Sequence, residues 1–255
     1  MHALHDRLLD FQRRIRIAVA TGVHILPFGA VVASEDLPLV YDQNLILVDA
    51  PVEASTLVHA ADAIAGELGW SHRNVEIADG AVAGTVRNAL LSAGYEEERL
   101  VTMVLPDEAA TPPAPTATAV TGVVEQLPLA RALLAEEPWA SDDALDQFEE
   151  RERRVGDVAG ARTVIAPPDA PVSRCLVLTD GAFAQIDEVA TLSAYRRRGW
   201  SSAVVQRAIQ LAHDNGLTPV MLVADDEDWP KGWYARLGFR AVGRFSKFHR
   251  WPERR

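Results

Sequence analysis

An α/β fold is predicted by the way two kinds of segment alternate along this 255-residue chain. Short apolar runs with strand character, at residues 44–49, 74–78, 99–105 and 184–192 among others, are separated by stretches of helical periodicity that end on Gly or Asn-Gly. Between residues 106 and 118 lie four prolines and almost nothing able to pack, which marks a linker between two halves, each long enough for a domain of its own.

Residues 2–21 place Leu4, Leu8, Leu9, Phe11, Ile15, Ile17 and Val19 at helical spacing, and Thr21-Gly22 ends the helix. Strand segments follow at 28–33 and 44–49, separated by Ser, Glu, Asp and Pro. A helix over 53–68 closes on Gly69, a strand covers 74–78, a helix runs from 83 to 93 with Gly94 as its cap, and 99–105 is again a strand. The second half opens with a strand at 119–124, then helices at 127–137 and 141–155. The latter starts on Ser141-Asp142-Asp143, a hydroxyl cap followed by acidic residues that suit the positive end of the helix dipole. Strands are predicted at 161–166, 174–178 and 184–192, a helix at 199–214 stopped by Asn215-Gly216, a strand at 219–224, a helix at 230–237 and a closing strand at 239–248.

Composition narrows the class of partner. The chain is 48% hydrophobic with a net charge of −11, unevenly spread: residues 1–125 hold 7 arginines and no lysine against 17 acidic residues. Such an acidic half disfavours nucleic acid, whose affinity rests on neutralising phosphates, and makes a cationic amine a more natural guest. No apolar run reaches the roughly 18 to 20 residues a bilayer span demands, so no membrane partner is expected. The one cysteine, Cys175, sits in an apolar run and reads as a small buried hydrophobe without a disulfide, and a cytoplasmic location is expected. His59, His72, His213 and His249 lack ligand spacing, so no metal site is expected.

The segment that carries chemistry is 189–202, where an apolar strand runs through Arg196, Arg197 and Arg198 into Gly199, and a helix opens at Trp200, Ser201 and Ser202. A helix start presents unpaired N–H groups and partial positive charge, so a diphosphate placed there accepts several hydrogen bonds at once, and the arginines add positive potential. Arg196-x-x-Gly199-x-Ser201 is a short pattern, but Tyr234 and Gly238-Phe239 follow it, with Tyr234 lying 35 residues beyond Gly199.

Together these motifs resemble the GNAT superfamily of acyl-CoA-dependent N-acyltransferases, over residues 160–250. The resemblance implies a mixed central sheet flanked by helices and acetyl-CoA as co-substrate with an amine acceptor. It implies that the backbone of Val189, Ala190 and Thr191 pairs with the pantetheine arm, that residues 197–202 hold the diphosphate, and that Tyr234 protonates the departing thiolate. Two departures stand out. Ser201 replaces a usual Gly or Ala, and Glu227, within an acidic run at 225–228, replaces an Asn found in many members. No glutamate lies on the strand at 220–224, which leaves Glu188 and Asp187 as candidates for the general base.

The first half reads as a worn copy of the second. Aligning Leu90-Leu91-Ser92-Ala93-Gly94-Tyr95 with Tyr234-Ala235-Arg236-Leu237-Gly238-Phe239 pairs helix, glycine and aromatic, and matches 44–49 to the cofactor strand. The corresponding turn, Ala50-Pro51-Val52-Glu53, has neither arginine nor glycine, and Leu90 falls where Tyr234 does. The expected organisation is a degenerate GNAT-like domain at 1–105, a linker at 106–118 and a catalytic GNAT domain at 119–255. The expected activity is N-acetyl transfer to a primary amine of a small molecule or protein terminus, with a non-catalytic acyl-CoA sensor as the rival. Oligomeric state is left open, a homodimer included.

Overall fold

The structure, a computed structural model, describes residues 2–106, 115, 117–158 and 160–252; most of the expected linker lies outside the described residues. The chain forms two compact units that interleave in sequence. Unit 1 comprises residues 1–102, 224–234 and 241–255, and unit 2 comprises residues 103–223 and 235–240.

Unit 1 begins with α1 (His2–Val19), whose Leu8, Phe11, Ile15 and Val19 form one buried stripe at helical spacing. There follow β1 (Gly22–Leu26), β2 (Gly29–Ala33), β3 (Leu45–Val48), α2 (Ala54–Glu67), β4 (Arg73–Ile77), α3 (Gly80–Ser92) and β5 (Glu96–Leu105), the last of which passes into unit 2 at Met103. β1–β2 and β2–β3 are antiparallel hairpin pairs, and β3 runs parallel to β4 with α2 as the crossover. Asp79 caps α3, accepting from the amides of Ala81 and Val82 at 2.6 and 3.2 Å.

Unit 2 contains β6 (Ala119–Thr121), α4 (Leu127–Leu134), α5 (Asp142–Val158), β7 (Arg162–Ala166), β8 (Ser173–Thr179), β9 (Ala184–Thr191), α6 (Trp200–Asp214) and β10 (Val220–Asp225). β6 to β9 are successive antiparallel neighbours, and β10 joins β9 in parallel across α6. Ser141 caps α5 as its sequence predicts, its hydroxyl taking the Ala144 amide at 3.2 Å. α6 packs on β7, β8 and β9 through Val204, Val205, Ala208, Ile209 and Ala212. α7 (Trp229–Arg236) and β11 (Arg240–Arg250) complete the chain.

Helix, three strands with antiparallel neighbours, crossover helix, parallel strand, helix and strand thus occur in the same order twice, as α1 to β5 and as α5 with β7 to β11. The last strand of this series does not stay with β7, β8 and β9. β11 lies in unit 1, antiparallel to β4 with Phe248 opposite Val75 and Ser246 opposite Ile77, and the order there is β1-β2-β3-β4-β11-β5. Phe248 is fully buried in the same cluster as Leu57, Ile77, Val86 and Leu90. Burying one such side chain is worth about 1.5–3 kcal/mol, so the C-terminal strand is part of the first core rather than an appendage.

Candidate active site

β9 and the turn after it build the site. The parallel register with β10 covers only Ala184 with Val220 and Gln185 with Met221. β8 follows β9 much further, to Ser173 opposite Thr191, so residues 186–191 run on with a strand partner on the β8 side. The register shifts between Arg174 and Leu176, and within this irregularity Glu188 takes φ +51°, a left-handed conformation that a non-glycine residue rarely adopts.

Strand alternation then decides which backbone groups face the open edge. The Leu192 amide donates to the Val172 carbonyl at 2.9 Å, which makes Arg174 and Ala190 the hydrogen-bonded pair of the ladder. Ala190 therefore turns its backbone toward β8, where its carbonyl also accepts from the Ser173 hydroxyl at 2.9 Å. Val189 and Thr191 turn theirs the other way. Of the three residues expected to line the pantetheine arm, these two have suitable backbone direction.

Past Thr191 the chain makes a 3-10 turn at Ser193–Tyr195, and Arg197 and Gly199 both take positive φ before α6 begins. A Cβ at Gly199 would meet nothing within 4 Å, so the requirement for glycine is its φ of +84° and not lack of room. Residues 193–199 are all exposed, and Trp200, Ser201 and Ser202 are partly so. The first bond of the helix ladder is Ala203 N–H to Gly199 C=O at 3.0 Å, which leaves the amides of 200–202 without acceptors inside the helix.

The arginines differ in what they do. Arg196 donates through Nε to the Thr191 carbonyl at 3.0 Å and stands 3.6 Å from Glu136, while Arg198 bonds the Ala194 carbonyl at 3.2 Å and covers the Tyr195 ring. Two of the three thus brace the turn and still leave their charge at its surface. Ser201 is accommodated by a 2.8 Å bond between its hydroxyl and that of Thr191, which ties the helix start to the strand end. Glu136 adds a brace that the sequence did not reveal, accepting from the Ser193 amide and hydroxyl at 2.9 and 3.0 Å.

Around the bulge, Asp187 accepts from the Glu188 amide and from Gln185 at 3.0 and 3.2 Å, and Arg151 of α5 donates to the Glu188 carboxylate at 2.9 Å. Next to Arg151 in sequence, Glu152 pairs with Arg174 at 2.6 Å, both side chains at least nine-tenths buried. Burial pushes the Glu152 carboxyl above the ordinary range, with Arg174 opposing the shift. Neither partner was singled out from sequence, although Glu152 falls on the apolar stripe of Leu145, Phe148 and Val155. A charge at such a position signals a buried partner.

Tyr234 is buried on α7 with its ring 4.6 Å from Trp233, and it belongs to unit 1, whereas β9 and its turn belong to unit 2. The acidic run before α7 is occupied internally. Asp226 bonds Lys231 and Arg244 at 3.0 and 2.9 Å, Glu227 pairs with Arg99, and Asp225 and Asp228 accept from the amides of Glu227 and Trp229. Cys175 is fully buried, and burial raises its thiol to about 12, as a structural thiol requires. Among the described residues there is no cluster able to hold a metal ion and no helix long and apolar enough to cross a membrane.

An open strand edge, a left-handed bulge and an exposed glycine-led helix start, in that order, agree with a comparison against protein families, in which residues 127–239 match the Acetyltransferase (GNAT) family. These residues form a GNAT domain. Solved structures share the fold well beyond its limits. A conserved protein of unknown function from Staphylococcus epidermidis aligns over 91% of this chain and 94% of its own with a TM-score of 0.67 at 13% identity. A GCN5-related N-acetyltransferase from Kribbella flavida aligns over 95% and 94%, with a TM-score of 0.61 at 16% identity. A tandem GNAT protein from the clavulanic acid biosynthesis pathway aligns over 83% and 76%, with a TM-score of 0.55 at 14% identity. At such identities the likeness is one of fold. No curated protein matches the chain.

Proposed function

We propose that the chain is an acetyl-CoA-dependent N-acetyltransferase with one working site, in the GNAT domain, and that unit 1 is a degenerate copy of the same fold. The observation that carries this reading is the parting of β9 from β10 after Gln185, directly followed by the bulge at Glu188 and the exposed start of α6. The opening supports a pantetheine arm laid along Val189 and Thr191 as an added strand. The amides of residues 200–202, with the charges of Arg196, Arg197 and Arg198 around them, suit the diphosphate.

In the proposed reaction the nitrogen of a neutral acceptor amine attacks the thioester carbonyl carbon. A C–N bond forms, the C–S bond breaks, and the Val189 amide stabilises the negative charge developing on the carbonyl oxygen. Tyr234, through its place in the family motif, gives its proton to the departing thiolate, and the proton lost by the amine passes through water or Glu188 to solvent. Glu188 serves only when its carboxylate leaves Arg151. The acceptor is a primary amine of a small molecule or protein terminus. The acidic charge of the first half supports a cationic one, although the run at 225–228 is largely satisfied within the protein. A lone buried thiol suits a reducing, cytoplasmic setting.

The test is release of coenzyme A thiol from acetyl-CoA against a panel of amines, with calorimetric titration of coenzyme A alongside. Amine-dependent release with binding of one coenzyme A per chain supports the proposal. Binding without release by any amine favours a sensor, and binding of NAD in preference to coenzyme A sinks the reading.

A further inference from the structure

Two features near β9 are costly and lie side by side. Glu188 holds a left-handed backbone conformation that glycine would adopt without strain, and such strain persists only where the surroundings over-determine it. The Glu152–Arg174 pair removes two charges from water, which the attraction between them seldom repays against apolar side chains of similar volume. Both features meet α5. Its consecutive residues Arg151 and Glu152 reach different strands, Arg151 the bulge residue Glu188 on β9 and Glu152 the residue Arg174 on β8.

Arg174 stands opposite Ala190, on the far side of the bulge from the pair Leu176–Asp187. The two ion pairs therefore bracket the irregularity, one gripping its left-handed residue and one gripping the neighbouring strand where regular pairing resumes. Between these grips lies Val189, whose amide points to the open edge. Asp187, which accepts from the Glu188 amide, steadies the bulge locally.

We infer that Arg151, Glu152 and Arg174 are positioning residues, a clamp through which α5 sets the β9 bulge and so the aim of the Val189 amide at the thioester carbonyl. The inference rests on the acyltransferase reading above. It assigns the buried pair a role in rate rather than in stability, and the two are separable because an apolar replacement of a buried ion pair commonly keeps or raises stability.

The decisive variant is Glu152→Leu combined with Arg174→Met. It is expected to melt no lower than the native protein and to bind coenzyme A within about twofold, while kcat falls about 10- to 100-fold, the loss that follows when a positioned donor is displaced by a fraction of an ångström to an ångström. In a 15N-labelled sample the Val189 amide resonance moves, and those of Trp200 to Ser202 stay in place. A folded double variant with unchanged kcat overturns the inference. Should that variant fail to fold, Arg151→Gln decides, because Arg151 is less buried than either member of the Glu152–Arg174 pair and glutamine keeps a polar side chain there: a several-fold drop in kcat with unchanged coenzyme A affinity upholds the clamp, and unchanged kcat overturns it. Native protein that binds no coenzyme A removes the acyltransferase reading itself, and the clamp with it. Binding with normal kcat in the variants removes the clamp alone.

Discussion

The strand, turn and helix β3–α2 in unit 1 and β9–α6 in unit 2 follow the same order, yet only one of them is open. β3 pairs with β4 to its last residue, Val48 opposite Ile77, whereas β9 continues for six residues past its final pair with β10. The turn in unit 1 replaces one potential amide donor with Pro51 and puts Glu53 at the N-cap of α2 and Asp49 nearby, where Arg13 pairs with it. The turn in unit 2 has Gly199 at the N-cap and three arginines before it. A common fold therefore supplies the helix start, but an anion site also needs free amides, a left-handed residue and the absence of a carboxylate. Closing the strand edge also removes the place where an extended arm could add itself, so unit 1 offers neither feature.

This contrast can be broken in several ways. Truncation after Phe239 removes β11 and with it the antiparallel partner of β4 and the buried Phe248; the expected result is loss of cooperative unfolding in unit 1, measured by calorimetry, and retained two-domain melting would show that β11 is dispensable. Tyr234→Phe is expected to lower kcat about 10²- to 10⁴-fold with coenzyme A affinity unchanged, the range for a lost proton donor. Its counterpart Leu90→Ala should leave kcat per folded molecule unchanged and cost about 2–5 kcal/mol of stability in a denaturant titration, as a fully buried leucine does.

Gly199→Val places a β-branched side chain at φ +84° and should weaken coenzyme A binding by about tenfold or more, since a strain of roughly 1–2 kcal/mol must be relieved by moving the turn. Calorimetry of the native chain should give one site; two sites would mean that the unit 1 turn also binds and would end the comparison.

The smallest effect concerns pH. Lys247 on β11 holds the Asp42 carboxyl well below the usual range, and a hydrogen bond from His249 lowers that of Glu98. Depressed carboxyls contribute stability that is fully present above their unfolded values of about 4 and is lost as pH falls toward the folded ones. The cross-strand attachment of β11 should therefore loosen below about pH 4, detectable as faster amide exchange at Phe248, while exchange on α6 changes less. Equal acid sensitivity in both places would contradict this.

Much of this was legible in the residues, because local chemistry specified it. Gly69, Gly94 and Asn215-Gly216 ended their helices within a residue or two of where the structure ends them, and Ser141 capped α5 as expected. The hairpin strand β1 was not predicted, because its Val23 and Ile25 are exposed and gave no apolar run. The exposed, glycine-led helix start was readable because glycine, arginine and helix start are contiguous. The ion pairs that join α5 to β8 and β9 were not, since their members are distant in sequence, and a run such as Glu149–Arg154 looks like a solvated face until packing shows which carboxylate is buried.

From the residues alone came most of the elements, their order, the arginine and glycine corner before α6 and the lack of one in the first half, all of which depend on neighbours within a turn or two of helix. The folded chain was needed to show that β11 pairs with β4, that β9 leaves β10 after Gln185, and that Glu152 is buried against Arg174. Those outcomes depend on which strand edges and which helix faces compete for the same partners over long sequence separations, and that competition is settled by the total surface buried rather than by any local pattern.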